Sequence, residues 1–118
     1  EYLDGEKTRA RFMQFNADMS KVFYDVDQGL AAFDIKTKTT NLVPLTGNIC
    51  SMQNLSFENI IAVLSKKNNS WYLSLLDAYD EIIASFSFTA ESASLFTYEN
   101  ALFLGRDASL SKMELVRK

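Results

Sequence analysis

The sequence predicts an all-β, antiparallel fold made of about three four-stranded units, and three observations predict it. Short apolar runs, Val22-Phe23-Tyr24, Ile60-Ile61-Ala62-Val63-Leu64 and Ala101-Leu102-Phe103-Leu104, recur at intervals of about forty residues. Each run is followed by a polar turn and then by a second apolar run. Where polarity alternates, as in Phe86 and Phe88 against Ser85 and Ser87, the period is two, the spacing of side chains on one face of a strand.

The elements follow in order from these signals. Unit one covers about residues 9–46, unit two about 47–88 and unit three about 89–118, the last lacking a final strand. A first strand is predicted over Arg11 to Phe15, Ile49 to Leu55 and Ala93 to Tyr98. The second is the apolar run itself, closed by a turn at Asp25 to Gln28, Lys66 to Asn69 or Arg106 to Ser109, stretches rich in residues that favour turns. The third covers Gly29 to Ile35, Ser70 to Leu76 and Leu110 to Val116. In the first two units it ends in an apolar residue followed by aspartate, Phe33-Asp34 and Leu76-Asp77. A fourth strand follows at Leu42 to Leu45 and at Ile82 to Phe88, and Pro44 fits an outer strand, where a missing ladder donor is tolerated. Tyr2-Leu3-Asp4-Gly5 reads as the tail of an earlier strand or as the strand that completes unit three.

With its repeat of about forty residues and the apolar-Asp endings Phe33-Asp34 and Leu76-Asp77, the chain resembles WD40-type β-propeller proteins. The resemblance implies propeller-blade-like units and a role in protein interaction. Two departures limit what is carried over. The family's Gly-His dipeptide has no counterpart, because the chain contains no histidine, and Trp71 stands early in its strand instead of beside Asp77. A small β-sandwich or pleckstrin-homology-like barrel is the alternative architecture. It would bind a phospholipid headgroup or a peptide, with Lys36, Lys38, Lys66 and Lys67 as phosphate contacts.

Asp25-Val26-Asp27-Gln28-Gly29 has the look of a calcium loop, but Leu30 to Phe33 supply no side-chain oxygens to complete one. Lys66 to Asn69 and Arg106 to Ser109 occupy the corresponding place in the other units, so turn formation is the shared property. A hairpin turn with Gly29 at positive φ is therefore expected.

Composition narrows the function. The chain has 118 residues, 47% of them hydrophobic and 23% charged, which suits one folded domain or part of a larger propeller. A net charge of -3 argues against a general nucleic-acid surface. No apolar run reaches the roughly 18 residues of a membrane span, and an intracellular location is expected. Glu1 instead of Met opens the chain, as in a processed product or part of something longer.

Without histidine there is no Ser-His-Asp or Cys-His arrangement and no zinc site of the usual composition, nor is there a phosphate-binding glycine loop. No catalytic residue, metal or cofactor is expected. The acidic groups Asp25 with Asp27, and Asp77 with Asp80 and Glu81, read as turn carboxylates that are solvated or bonded to nearby backbone amides. Cys50, the one cysteine, reads as a small buried thiol, and Asn54-Leu55-Ser56 and Asn68-Asn69-Ser70 as chance matches to a glycosylation acceptor.

The aromatic residues Phe12, Phe15, Phe23, Tyr24, Phe33, Trp71, Tyr72, Phe86, Phe88, Phe96, Tyr98 and Phe103 read mostly as core. Lys7, Arg9 and Arg11 would share one face of a strand, as a guard for its edge or as a basic stripe for an acidic partner or phosphate. Three units do not obviously close a ring, so a protein partner, a second copy or a longer parent chain is expected to complete them. The turns between second and third strands are the expected partner-binding sites, with Asp27, Gln28, Lys66, Asn68, Arg106 and Asp107 as candidate residues.

Overall fold

The computed structural model describes residues 12–16, 18–26, 29–55, 59–99 and 101–113. They form eleven strands. The first sheet holds β1 (Met13–Phe15), β2 (Lys21–Val26), β3 (Gly29–Asp34) and β4 (Thr39–Pro44) in sequential order. The second holds β5 (Asn48–Leu55), β6 (Ile60–Lys67), β7 (Ser70–Leu76) and β8 (Ile82–Thr89) in the same order. The third holds β9 (Ala93–Tyr98), β10 (Ala101–Arg106) and β11 (Ser109–Met113). Every pairing is antiparallel, so the architecture is three blade-like sheets and not one barrel or two-layer sandwich.

The middle sheet explains the continuous apolar run in β6. Ile60, Ala62 and Leu64 project into a cluster shared with Leu95, Leu102 and Leu104 of the third sheet. Their neighbours Ile61 and Val63 project the opposite way, into a cluster shared with Phe23, Leu30, Ala32 and Val43 of the first. A strand covered on both faces has no position to spare for a polar side chain, which is why alternation vanishes there. Ser65, 1% exposed, is the exception, and its hydroxyl has no hydrogen-bond partner among the described residues.

The turns between second and third strands are shorter than the sequence suggests. Val26 pairs with Gly29, Lys67 with Ser70 and Arg106 with Ser109, which leaves two-residue turns at 68–69 and 107–108. Asp25, Lys66, Lys67 and Arg106 are thus strand residues. Asn68 (φ 58) and Asp107 (φ 52) open their turns in the left-handed region, as primed hairpin turns require.

Gly29 does not adopt the expected positive φ. It is the first residue of β3, and a Cβ there would stand 2.5 Å from the Val43 carbonyl oxygen of the neighbouring strand. Glycine is needed for close backbone approach, not for turn conformation. A second set of left-handed residues, Met19, Asn59 and Glu99, recurs about every forty residues between the first and second strands of each unit. The repeat is therefore present in the backbone where the side chains conceal it.

Other expectations shift in detail. The fourth strand of the first sheet starts at Thr39 instead of Leu42, with Pro44 at its exposed end. Cys50 is half-buried, not buried, because it is the extra residue of a bulge between Ile49 and Ser51 that turns it partly away from the core. Phe15, Phe86, Phe96 and Tyr98 are exposed, not core. Tyr2 to Gly5 and the Lys7, Arg9, Arg11 stripe lie outside the described residues.

Two glycine substitutions separate these roles. Gly29→Ala forces β3 and β4 apart and should cost about 2 kcal/mol or more in denaturant unfolding. Gly105→Ala should be tolerated within about 0.5 kcal/mol, since its Cβ meets the end of the exposed Phe96 ring at 3.1 Å, which can move aside.

Candidate functional site

The strands run so that the ends of β2, β6 and β10, the turns after β6 and β10 and the connections between sheets gather on one face of the molecule. Gly47, between β4 and β5, takes φ 83, and a Cβ there would lie 2.4 Å from the Lys66 carbonyl oxygen. The connection after β8 is held still more directly. Asp107 Oδ1 accepts hydrogen bonds from the amides of Glu91 (3.0 Å) and Ser92 (3.1 Å), while its own amide donates to the Ser92 carbonyl (3.0 Å). Asp107, a candidate partner contact, thus already uses one carboxylate oxygen to fasten the second sheet to the third.

Lys66 and Arg106 also have work within the fold. Trp71 of β7 and Phe88 of β8 stand opposite each other with rings nearly parallel and centroids 6.4 Å apart. Lys66 Nζ lies 4.9 Å from the Trp71 ring centroid and Arg106 Cζ lies 5.2 Å from that of Phe88. The result is a cation–ring–ring–cation row across two sheets, each half-exposed contact worth roughly 0.5–1 kcal/mol. Trp71 Nε1 donates to the Ala90 carbonyl at 2.9 Å, so the indole braces the same connection that Asp107 holds.

Asn68 is exposed beside Lys66 and Lys67 at the rim of a shallow depression shared with Leu45 to Asn48. Asp27 and Gln28 lie outside the described residues. Of the six candidates, Lys66, Asn68, Arg106 and Asp107 are thus placed on one face. Two of them, Arg106 and Asp107, also hold the second and third sheets together, while Lys66 lies over Trp71 within the second sheet.

The opposite face carries the other turns. Asp34 Oδ1 accepts from the amides of Lys36 and Thr37, both at 3.0 Å, and Asp77 Oδ1 accepts from Tyr79 (2.8 Å) and Glu81 (3.1 Å). The repeated apolar-Asp ending is thus a cap for the turn into the fourth strand. The Thr37 amide, ahead of that of Lys36, holds the Asp34 carboxyl below its ordinary value.

Asp25 is buried in β2 and accepts the Phe12 amide at 2.9 Å. Among the described residues no group of three or more His, Cys, Asp or Glu is placed to hold a metal ion. Lys36 and Lys38 follow the Asp34 cap, while Lys66 and Lys67 sit at the far end of the strands. The four lysines therefore do not converge on one phosphate site.

Lys21 joins the first two sheets on this face. Its Nζ lies 3.1 Å from Asp80 Oδ1 and 2.9 Å from the Ala78 carbonyl oxygen, and Asn41 Nδ2 approaches Asp80 Oδ2 at 3.4 Å. The two charged side chains are 18% and 8% exposed, so solvent screens them little. Lys21→Met should cost about 2 kcal/mol in denaturant unfolding by leaving Asp80 poorly paired, and adding Asp80→Leu should recover part of it.

One surface escaped the sequence reading. Phe23 and Leu30 in the first sheet, and Leu64 and Trp71 in the second, occupy matching positions on either side of the two-residue turn, and each is buried against the next sheet. The same positions in the third sheet are Phe103 and Leu110. Leu110 is 65% exposed, and beside it Phe96, paired with Phe103, and Tyr98 are also exposed. Among the described residues, the face that covers a neighbour twice is largely uncovered the third time.

Comparisons with known proteins agree with this geometry. A family described as "beta-propeller protein" matches residues 1–118. An uncharacterized protein of Treponema pallidum (strain Nichols) is 24% identical over 115 residues, a match that takes in 98% of this chain and 30% of that protein. The chain therefore spans less than a third of that relative. Among solved structures, the Pyrococcus horikoshii acylaminoacyl peptidase is similar with a TM-score of 0.59 at 13% identity, over 97% of this chain and 27% of that one. At that identity the likeness concerns the fold alone. Three stacked antiparallel sheets, a repeat of about forty residues and a family match along the whole length lead to one assignment: the chain belongs to the β-propeller proteins.

Proposed function

We propose that this chain is a non-catalytic protein-interaction module of blade-like β repeats, completed by further β structure seated on the open face of its third sheet. The observation that carries the reading is the exposure of Phe96, Tyr98 and Leu110 beside the half-buried Phe103, on the face where the positions matching Phe103 and Leu110 are buried in both preceding sheets. An apolar face of this kind on a repeat that otherwise stacks marks a contact site.

A protein partner is then recognised by the face bearing Lys66, Asn68, Arg106 and Asp107, with Asp27 and Gln28 as further candidates from the sequence. The row of cations over aromatic rings gives that face fixed positive charge beside exposed Asn and Asp groups. The apolar-Asp endings support a WD40-like repeat as the finer description. The absence of histidine supports a role outside acyl-transfer catalysis of the Ser-His-Asp type.

The test begins by immobilising the chain, isolating a protein it retains from a cell extract, and titrating that protein against variants. Phe96→Asp combined with Leu110→Asp should weaken binding at least about tenfold with little change in thermal midpoint, because both side chains are already exposed. Asn68→Lys combined with Arg106→Glu tests the turn face in the same way. If both double variants hold the retained protein as tightly as the parent chain, neither surface is the interaction site and the reading fails.

A further inference from the structure

The outer edges of the first two sheets are guarded very differently. β4 is six residues long and ends in Pro44, which has no amide to offer a new strand. β8 is eight residues long, Ile-Ile-Ala-Ser-Phe-Ser-Phe-Thr, with no charge, no proline and no glycine. It pairs only with β7 among the described residues, so its far edge presents an unpaired row of backbone donors and acceptors. Ile82, Ile83 and Phe86 are about half exposed, and Ser85, Ser87 and Thr89 are exposed with them.

Natural sheets blunt such an edge with lysine, proline or a bulge. The register shift in β8 falls at its start, between the Leu75 and Leu76 pairings, and leaves Ala84 to Thr89 regular. An uncharged, β-prone, regular edge of this length is a surface for strand addition.

We infer that β8 is a self-association edge, at which a second copy of the chain adds its own β8 antiparallel to form one continuous sheet through two molecules. Charge decides for a second copy as the occupant. A strand laid against itself usually opposes like charges, and Ile82 to Thr89 contains none, so self-pairing carries no electrostatic cost. The contact is also closed: a two-fold axis normal to the sheet uses up both edges and stops at a dimer.

The same axis fixes the pairing. Residues that meet must share a face, so the axis lies midway between one residue and its own copy, and Phe86 is the central exposed aromatic. Phe86 then meets its own copy, Ser85 meets Ser87, and Ala84 meets Phe88, which gives an aromatic pair at the axis with hydroxyls on the other face. This edge is distinct from the third-sheet face and from the turn face, so the inference stands apart from the functional reading above.

The test is the absolute mass of the whole 118-residue chain by light scattering, over concentrations up to about 100 µM, a range that reveals dissociation constants in the micromolar region. The parent chain should reach twice 13.4 kDa and no more. Phe86→Lys and Phe86→Glu should each be monomeric with an unchanged circular dichroism spectrum, since the side chain is already half exposed. An equimolar mixture of the two should recover the dimer, because the axis brings the new charges face to face. Ser85→Lys serves as a second disrupting variant if either Phe86 variant fails to fold. A monomeric parent overturns the inference, as do a dimer indifferent to Phe86→Lys, assemblies that grow without limit, and a dimer lost only in the Phe96→Asp, Leu110→Asp double variant. The last result would move the contact to the third sheet and leave the functional reading intact.

Discussion

The structure depends on a sheet that must be covered on both faces. Residues from Ile60 to Ser65 are all buried, with alternate side chains pointing to opposite neighbours, and β7 repeats the arrangement with Trp71, Leu73 and Leu75 on one side and Leu76 on the other. Burying an aliphatic side chain of this size contributes roughly 1.5–3 kcal/mol, and a two-sided strand collects that contribution only if a sheet lies on each side. One such sheet therefore calls for a second and a third. The third, built to the same register, shows its own bare face.

Polar groups set how the sheets are joined more than whether they stack. On one face the Asp107 carboxylate and the Trp71 indole hold the connection between the second and third sheets, and Lys66 and Arg106 lie over the rings beside it. On the other, Lys21 reaches from the first sheet to the turn of the second. Each is a modest contribution, but those of Asp107, Arg106 and Lys21 join one sheet to the next or to its connection. The candidate interaction residues therefore sit on a prearranged surface, where little side-chain freedom remains to be lost on binding.

Much of this order is legible in the sequence. The spacing of the apolar runs and the period-two segments give the strand order, and Pro44 marks an outer strand. The repeated aspartates mark a place in the repeat, though their task as turn caps needs the hydrogen bonds of Asp34 and Asp77 to be seen. Other features are hidden for physical reasons. Met19 and Glu99 adopt the left-handed backbone of Asn59 without being residue types that favour it, so no side chain announces the third recurrence. Gly29 looks like a turn glycine because it adjoins a turn, while the constraint acts from Val43 in another strand. Phe96, Tyr98 and Leu110 share the pattern of core residues, and only the arrangement of sheets shows that no other described sheet covers them.

The central claim, that two-sided burial of the middle sheet organises the fold, is tested most directly by residue-resolved amide hydrogen exchange of the native chain. Amides of β6 and β7 from Ile61 to Leu76 should exchange last and together, at a free energy equal to that of global unfolding, while those of β9 and β11 open earlier. If the third sheet were as protected as β6, or if β6 exchanged by a local opening well below the global value, the middle sheet would not be the element on which the others depend.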